Sequence, residues 1–246
     1  LEKDCCLQNP GFFYQCAYLS KSVIKPVSLE NYSYFSIPKC YSLLSMQALN
    51  QAGILPIQNH STIQLSGKQV LDTGIDYQNP VFQHLDKTTR IAGIWDQTIQ
   101  SGTPPESFYY GSHYTPDMIN EALASEDPYS LVPSVDNNGH GTFLASIAAG
   151  SGDPDAQFIG AAPESVIAVV KLKQAKQYLR DYYFIPNTAP AFQENDIMLG
   201  MRYLHLLAEK LGLPLIFCLA LGSNLGGHSG SLPLSIIAQQ YTLLSN

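Results

Sequence analysis

Two short motifs carry side chains that can do chemistry together. In VLDTGIDYQNPVF, Asp72 follows Val70 and Leu71 and precedes Thr73 and Gly74. A carboxylate at the end of an apolar strand, followed by a glycine turn, is held at the carboxyl edge of a sheet, where open α/β folds bind their ligands. There it can orient an imidazole. In DNNGHGTFLASIAAG, His140 stands between Gly139 and Gly141 and opens a helix. The glycines leave space for a substrate beside the ring, and Ala145, Ala148 and Ala149 let the helix pack closely on a sheet. His140 is then a general base. Taken singly, each motif has a plainer meaning. DTG also makes a turn, and a lone histidine at a helix start is more often a cap or a surface residue.

The elements that must position these residues read as alternating strands and helices. Ile91–Trp95, Val166–Leu172 and Leu213–Leu221 are continuous apolar runs, the mark of parallel strands covered on both faces. Between the last two, Ile197, Met201, Leu204, Leu207, Ala208 and Leu211 recur at helical spacing, with Asp196 as the expected N-cap and Gly212 as the stop. That is a βαβ unit inside an α/β domain with a mostly parallel central sheet. Residues 97–134 are rich in Pro, Gly and Tyr around a short helix at Pro116–Ala124, which predicts an ordered surface insertion. Before a boundary near residue 60 the texture changes. Tyr, Ser and Cys are frequent there, and a helical stretch at Leu43–Gln51 closes at Gly53. Only Lys68 to Leu71 separate Gly67 from Asp72, against the ~5–6 residues of an ordinary strand. A shortened strand is expected at that point.

Composition excludes several classes of function. The 13 Lys+Arg against 20 Asp+Glu leave a formal charge of −7, which gives nucleic acid no electrostatic reason to bind. Leu213–Leu221 is the longest apolar stretch and falls short of the ~20 residues that cross a bilayer. No signal peptide is visible, so a soluble, cytoplasmic protein is favoured over a secreted one, while the initial Leu in place of Met leaves an upstream piece open. His60, His84, His113, His140, His205 and His228 form no HExxH pair, and Cys5, Cys6, Cys16, Cys40 and Cys218 form no CxxC. The expectation is no metal, no cofactor, and reduced thiols in a reducing compartment, with Cys5 and Cys6 near a mobile terminus and Cys218 a small core residue.

Taken together, DTGID and NGHGT resemble the motifs of the subtilase family of serine peptidases, where the first carries the triad aspartate and the second the triad histidine. The resemblance implies a three-layer subtilisin-like α/β fold and catalytic roles for Asp72 and His140. It also implies that CLALGSNLGGHSG is the strand lining the substrate cleft, with Ala220, Leu221 and Gly222 binding an extended peptide by strand addition. The plainer alternative there is a glycine-rich loop after a core strand. IWDQTIQSGTPPESFYYGSHYTPDMINEAL, SIPKCYSLL and GILPIQNH resemble the bacterial spore-germination (Csp-type) subtilases, and the likeness runs over residues 34–246. It implies a leader or accessory segment over residues 1–60, a partial catalytic domain over 61–246 with an insertion at about 97–135, and a spore-associated location beside the cytoplasmic one.

One departure from the family bears on activity. The GTS-x-A motif of the family's nucleophile, and the oxyanion asparagine before it, do not occur between His140 and Asn246. Ser223, Ser229 and Ser231 lie in or beside the substrate-lining loop and are not read as nucleophiles. The expectation is a fragment, a truncated product or half of a split chain, C-terminally incomplete, with an exposed sheet edge after residues 213–221. Removing the serine from subtilisin costs a factor of ~10⁶, so the chain alone is expected to be nearly inert. In its complete form it is expected to hydrolyse peptide or protein substrates through an acyl-enzyme, with a missing C-terminal segment or a related subtilase as a further partner. The alternative is a non-catalytic relative that binds peptides or proteins through the surviving cleft.

Overall fold

The computed structural model describes residues 5–44, 68–152, 158–227 and 229–244. In chain order these form β1 (Cys5–Gly11), β2 (Tyr14–Leu19), β3 (Cys40–Leu43), β4 (Lys68–Asp72), β5 (Ile91–Asp96), β6 (Ser112–Tyr114), α1 (Pro116–Ala124), α2 (Pro128–Leu131) and α3 (His140–Ala149). There follow β7 (Ile167–Lys171), α4 (Gln177–Tyr182), β8 (Phe192–Gln193), α5 (Glu194–Leu211), β9 (Ile216–Leu219), β10 (Leu221–Gly222) and α6 (Pro233–Leu244). They fall into two compact units, one of residues 1–42, 174–203 and 222–246, the other of residues 43–173 and 204–221.

The second unit is built on a five-stranded sheet in the order β6-β5-β7-β4-β9, parallel except for the antiparallel edge strand β6. The apolar runs explain the central positions. β7 buries Ile167, Ala168, Val169 and Val170, as a parallel strand covered on both faces must. β4, short as it is, pairs along its length with β7 on one side and with β9 on the other, so Asp72 emerges from the middle of the sheet opposite Lys171. The five residues of Lys68–Asp72 suffice because both neighbours hold them.

Core packing fixes the helix that carries His140. Ala145, Ala148 and Ala149 of α3 join Val70, Ile94, Ile167 and Val169 in one buried cluster with Ile75, Tyr77 and Phe82. Each large apolar side chain buried in this way contributes ~1.5–3 kcal/mol. The stretch after β5 packs back on that strand. Its Phe108 and Tyr110 rings lie 4.6 and 5.3 Å from that of Trp95, whose Nε1–H donates to the Tyr110 carbonyl.

The first unit holds the β1-β2 hairpin, the antiparallel pairing of β3 with β8, and a core of Ile37, Cys40, Ala175, Leu179 and Ala191. Buried charge organises it. The Glu194 carboxylate accepts from the backbone N–H of Lys39 and of Leu234, while Arg180 donates to the carbonyls of Ala175, Pro186 and Ala189 and to Gln174 Oε1.

Several expectations are corrected here. The run 213–221 is not one strand. Gly212 at φ 65° closes α5, and Leu213 N–H still bonds back to Ala208, so β9 begins only at Ile216. Ala220 then separates β9 from β10, its carbonyl accepting the N–H of Leu44. Helix α5 starts at Glu194, so Asp196 is a buried residue inside the first turn and not its N-cap. Cys5 and Cys6 belong to a paired strand, opposite Leu19 and Tyr18, and not to a loose end. Leu43 ends a strand instead of opening a helix, whereas the remainder of that predicted helix, Gly53, His60 and the boundary near residue 60 lie outside the described residues. Cys218 is partly buried against the core. β9 is an outer strand of its sheet, with Ile216 exposed. No helix among the described residues is long and apolar enough to cross a membrane.

Candidate active site

Asp72 ends a central strand and His140 is the first residue of α3, so the sheet delivers a carboxylate and the helix an imidazole to the same edge. His140 Nδ1 and Asp72 Oδ1 are 2.7 Å apart, with the carboxylate fully buried and the imidazole 17% exposed. The backbone N–H of Thr73 donates to the same oxygen at 2.7 Å. A carboxylate that accepts both an N–H of the ring and an N–H of the backbone is fixed in place, and it fixes the ring in turn.

The other ring nitrogen faces the chain itself. His140 Nε2 is 2.9 Å from the carbonyl oxygen of Leu44, and the Leu44 N–H donates to the Ala220 carbonyl at 3.0 Å. One peptide residue is therefore held between the imidazole and the first of the three residues expected to line a cleft. Ala220 is buried, and Leu221 and Gly222 follow it as β10.

These contacts decide where the proton resides. Burial alone lowers the affinity of His140 for a proton, but the Asp72 hydrogen bond, the Leu44 carbonyl and the negative charges of Asp72 and Asp136 outweigh it, and its pKa lies above the usual imidazole value. Both ring nitrogens face acceptors, so the imidazolium is the form this arrangement stabilises.

Two glycines make the approach of strand and helix feasible. Gly139, the residue before α3, has φ 81°, a left-handed conformation that side-chain-bearing residues rarely adopt. A Cβ on Gly141 would stand 2.2 Å from the Gly74 carbonyl oxygen, so the helix start and the turn after Asp72 touch backbone to backbone.

Asp136 lies at this junction and was not singled out by the sequence reading. Its Oδ1 accepts from Thr73 Oγ1–H and from the N–H groups of Asn138 and Gly139, and its Oδ2 accepts from Thr142 N–H and Oγ1–H. Burial pushes this carboxyl up, but the Thr142, Thr73 and Gly139 donors more than offset it and hold it below the usual carboxylate range. The available signal was an aspartate just before a helix whose own N-cap is a glycine. Leu44 was missed as well, because nothing local marks it.

Deeper in the same unit, Asp96 accepts from Ser134 at 2.7 Å and pairs with Lys171 at 3.2 Å. Among the described residues no group of three or more His, Cys, Asp or Glu is placed to hold a metal ion. Ser223 Oγ accepts from Leu225 N–H, and Ser229 and Ser231 hydrogen-bond to each other.

Residues 69–198, more than half of the chain, match the Peptidase_S8 family model, described as the subtilase family. No curated protein sequence gives a significant match. Among solved structures, the CspB protease of Clostridium perfringens is similar over 80% of this chain at 30% identity and a TM-score of 0.61. The chain spans 38% of that protein's length.

Proposed function

The chain belongs to the subtilase family, and from that premise we propose that Asp72 and His140 are the proton-transfer pair of a serine endopeptidase. The observation that carries this is the 2.7 Å contact of His140 Nδ1 with a fully buried carboxylate while Nε2 faces a peptide carbonyl. In this reading Asp72 fixes the tautomer and stabilises the imidazolium. With a serine hydroxyl at Nε2, His140 takes its proton as the oxygen bonds to the substrate's carbonyl carbon. It then returns that proton to the departing amine as the peptide bond breaks. Water hydrolyses the acyl-enzyme by the same transfers in reverse order.

The residues expected to line the cleft fit this scheme. The N–H of Leu44 makes to the Ala220 carbonyl the kind of backbone bond an extended peptide substrate would make, while its carbonyl takes the place at Nε2 that the serine hydroxyl holds in this scheme. Residues 1–60 act as the leader in this proposal, residues 61–246 as part of the catalytic domain, and the peptide unit of Leu44 marks where a substrate's backbone lies. The scheme requires a serine nucleophile within reach of His140 Nε2.

A second reading rests on the same Leu44 contacts. Neither bond needs a serine, so a relative without one could still hold peptides by their backbone. A fluorophosphonate probe on the longest natural product separates the two. Labelling that disappears in His140→Ala supports the peptidase, and no labelling rejects it in favour of peptide binding.

A further inference from the structure

We propose that Asp136 is the positioning residue of the Asp72–His140 pair, one carboxylate that binds both the turn after Asp72 and the start of the helix that carries His140. The two sides are distinct pieces of chain. On the strand side, Thr73 donates its backbone N–H to Asp72 and its hydroxyl to Asp136 Oδ1. On the helix side, Thr142 donates both its N–H and its hydroxyl to Asp136 Oδ2, and Gly139 N–H donates to Oδ1. Cross-links close the lattice. Gly141 N–H, next to His140, donates to Thr73 Oγ1 at 3.0 Å, and Asp76 N–H donates to Thr142 Oγ1 at 2.9 Å.

Each oxygen therefore has a separate task. Oδ1 ties the strand turn to the residue before the helix, and Oδ2 satisfies helix N–H and hydroxyl donors that Gly139, having no side chain, cannot cap. The charge has a task too. The N-terminal end of a helix carries a partial positive charge that disfavours an imidazolium at its first residue, and a carboxylate beside that end opposes it. Asp136 acts on His140 through the backbone and through this field, with no direct hydrogen bond to the ring.

The test reads the ring itself and needs no activity, so it can fail while the proposed peptidase reading stands, and the reverse. Nitrogen-15 and proton NMR of the 246-residue chain follows the Nδ1–H resonance of His140, shifted downfield by its short bond to Asp72, and the titration of the ring, which is faced by Asp72, Asp136 and the Leu44 carbonyl. In Asp136→Asn one oxygen becomes an NH₂ group that cannot accept, and the charge is lost. The downfield resonance should broaden away and the titration midpoint fall by ~1 pH unit. Thr73→Val, which removes the bridging hydroxyl, should broaden the same resonance, and Thr73→Ser, which keeps it, should restore the wild-type spectrum. If Asp136→Asn does not fold, the two Thr73 variants decide. A folded Asp136→Asn or Thr73→Val chain with the resonance and midpoint of the wild type overturns the proposal, even if its melting temperature has dropped.

Discussion

Around Glu194, in the first unit, a buried carboxylate gives both oxygens to backbone N–H groups, those of Lys39 and Leu234, and nearby Arg180 is enclosed by carbonyls in the same manner. Around Asp72, in the second, a carboxylate just as buried gives one oxygen to Thr73 and to an imidazole whose far nitrogen faces a peptide carbonyl. The first arrangement is closed, because each charge ends on groups that cannot ionise or leave. The second is open at one end. Its last donor is a titratable nitrogen, and the acceptor it faces is one that a substrate could replace. Buried charge by itself therefore says little about chemistry, and the identity of the outermost group decides.

The sharpest way to break this contrast is to remove that outermost group. In a form of the protein that carries a serine nucleophile, His140→Ala should lower turnover of a peptide substrate by ~10⁶, the loss seen when the corresponding histidine is removed from subtilisin. A loss of only tenfold would make the pair structural. On the closed side, Glu194→Ala leaves the N–H groups of Lys39 and Leu234 without their acceptor and should cost ~1–3 kcal/mol, read from the urea midpoint. Glu194→Gln, which keeps one acceptor oxygen, should cost less.

Acid separates the regions further. The Asp136 carboxyl is held below its unfolded value of ~3.9, so its contribution to stability is complete above that pH and is lost as pH falls through the lowered folded value. Acid unfolding followed by circular dichroism should show a shallower low-pH limb in Asp136→Asn than in the wild type. The smallest expected effect is that of Thr142→Val, which removes one hydroxyl from the helix start and should cost ~1 kcal/mol in a thermal melt.

The parts of this picture that were legible in the sequence are those written in a single stretch of chain. Asp72 and His140 each carry their glycine turn or helix start beside them, and α1 and α3 follow from the spacing of their own residues. What depended on distant partners was not legible. Leu44 meets His140 across 96 residues, and Thr73 meets Asp136 across 63. The apolar run 213–221 hides its own interruption, because the break at Ala220 is made by a hydrogen bond from Leu44 and not by a change of side chain. The start of α5 was misplaced for a similar reason. Glu194 is fixed by Lys39, far upstream, whereas Asp196 only has the residue type of a cap.

The most direct test of the central claim is the titration of the His140 ring by NMR in the wild-type chain and in Asp72→Asn. A midpoint above the ordinary ~6.5 means that the pair contributes stability in full below that pH and loses it as pH rises through the folded value, where the ring becomes free to act as a base. The account predicts such a raised midpoint with a downfield Nδ1–H signal, both lost in Asp72→Asn. A ring that titrates at its ordinary value, and does so unchanged in Asp72→Asn, would contradict it.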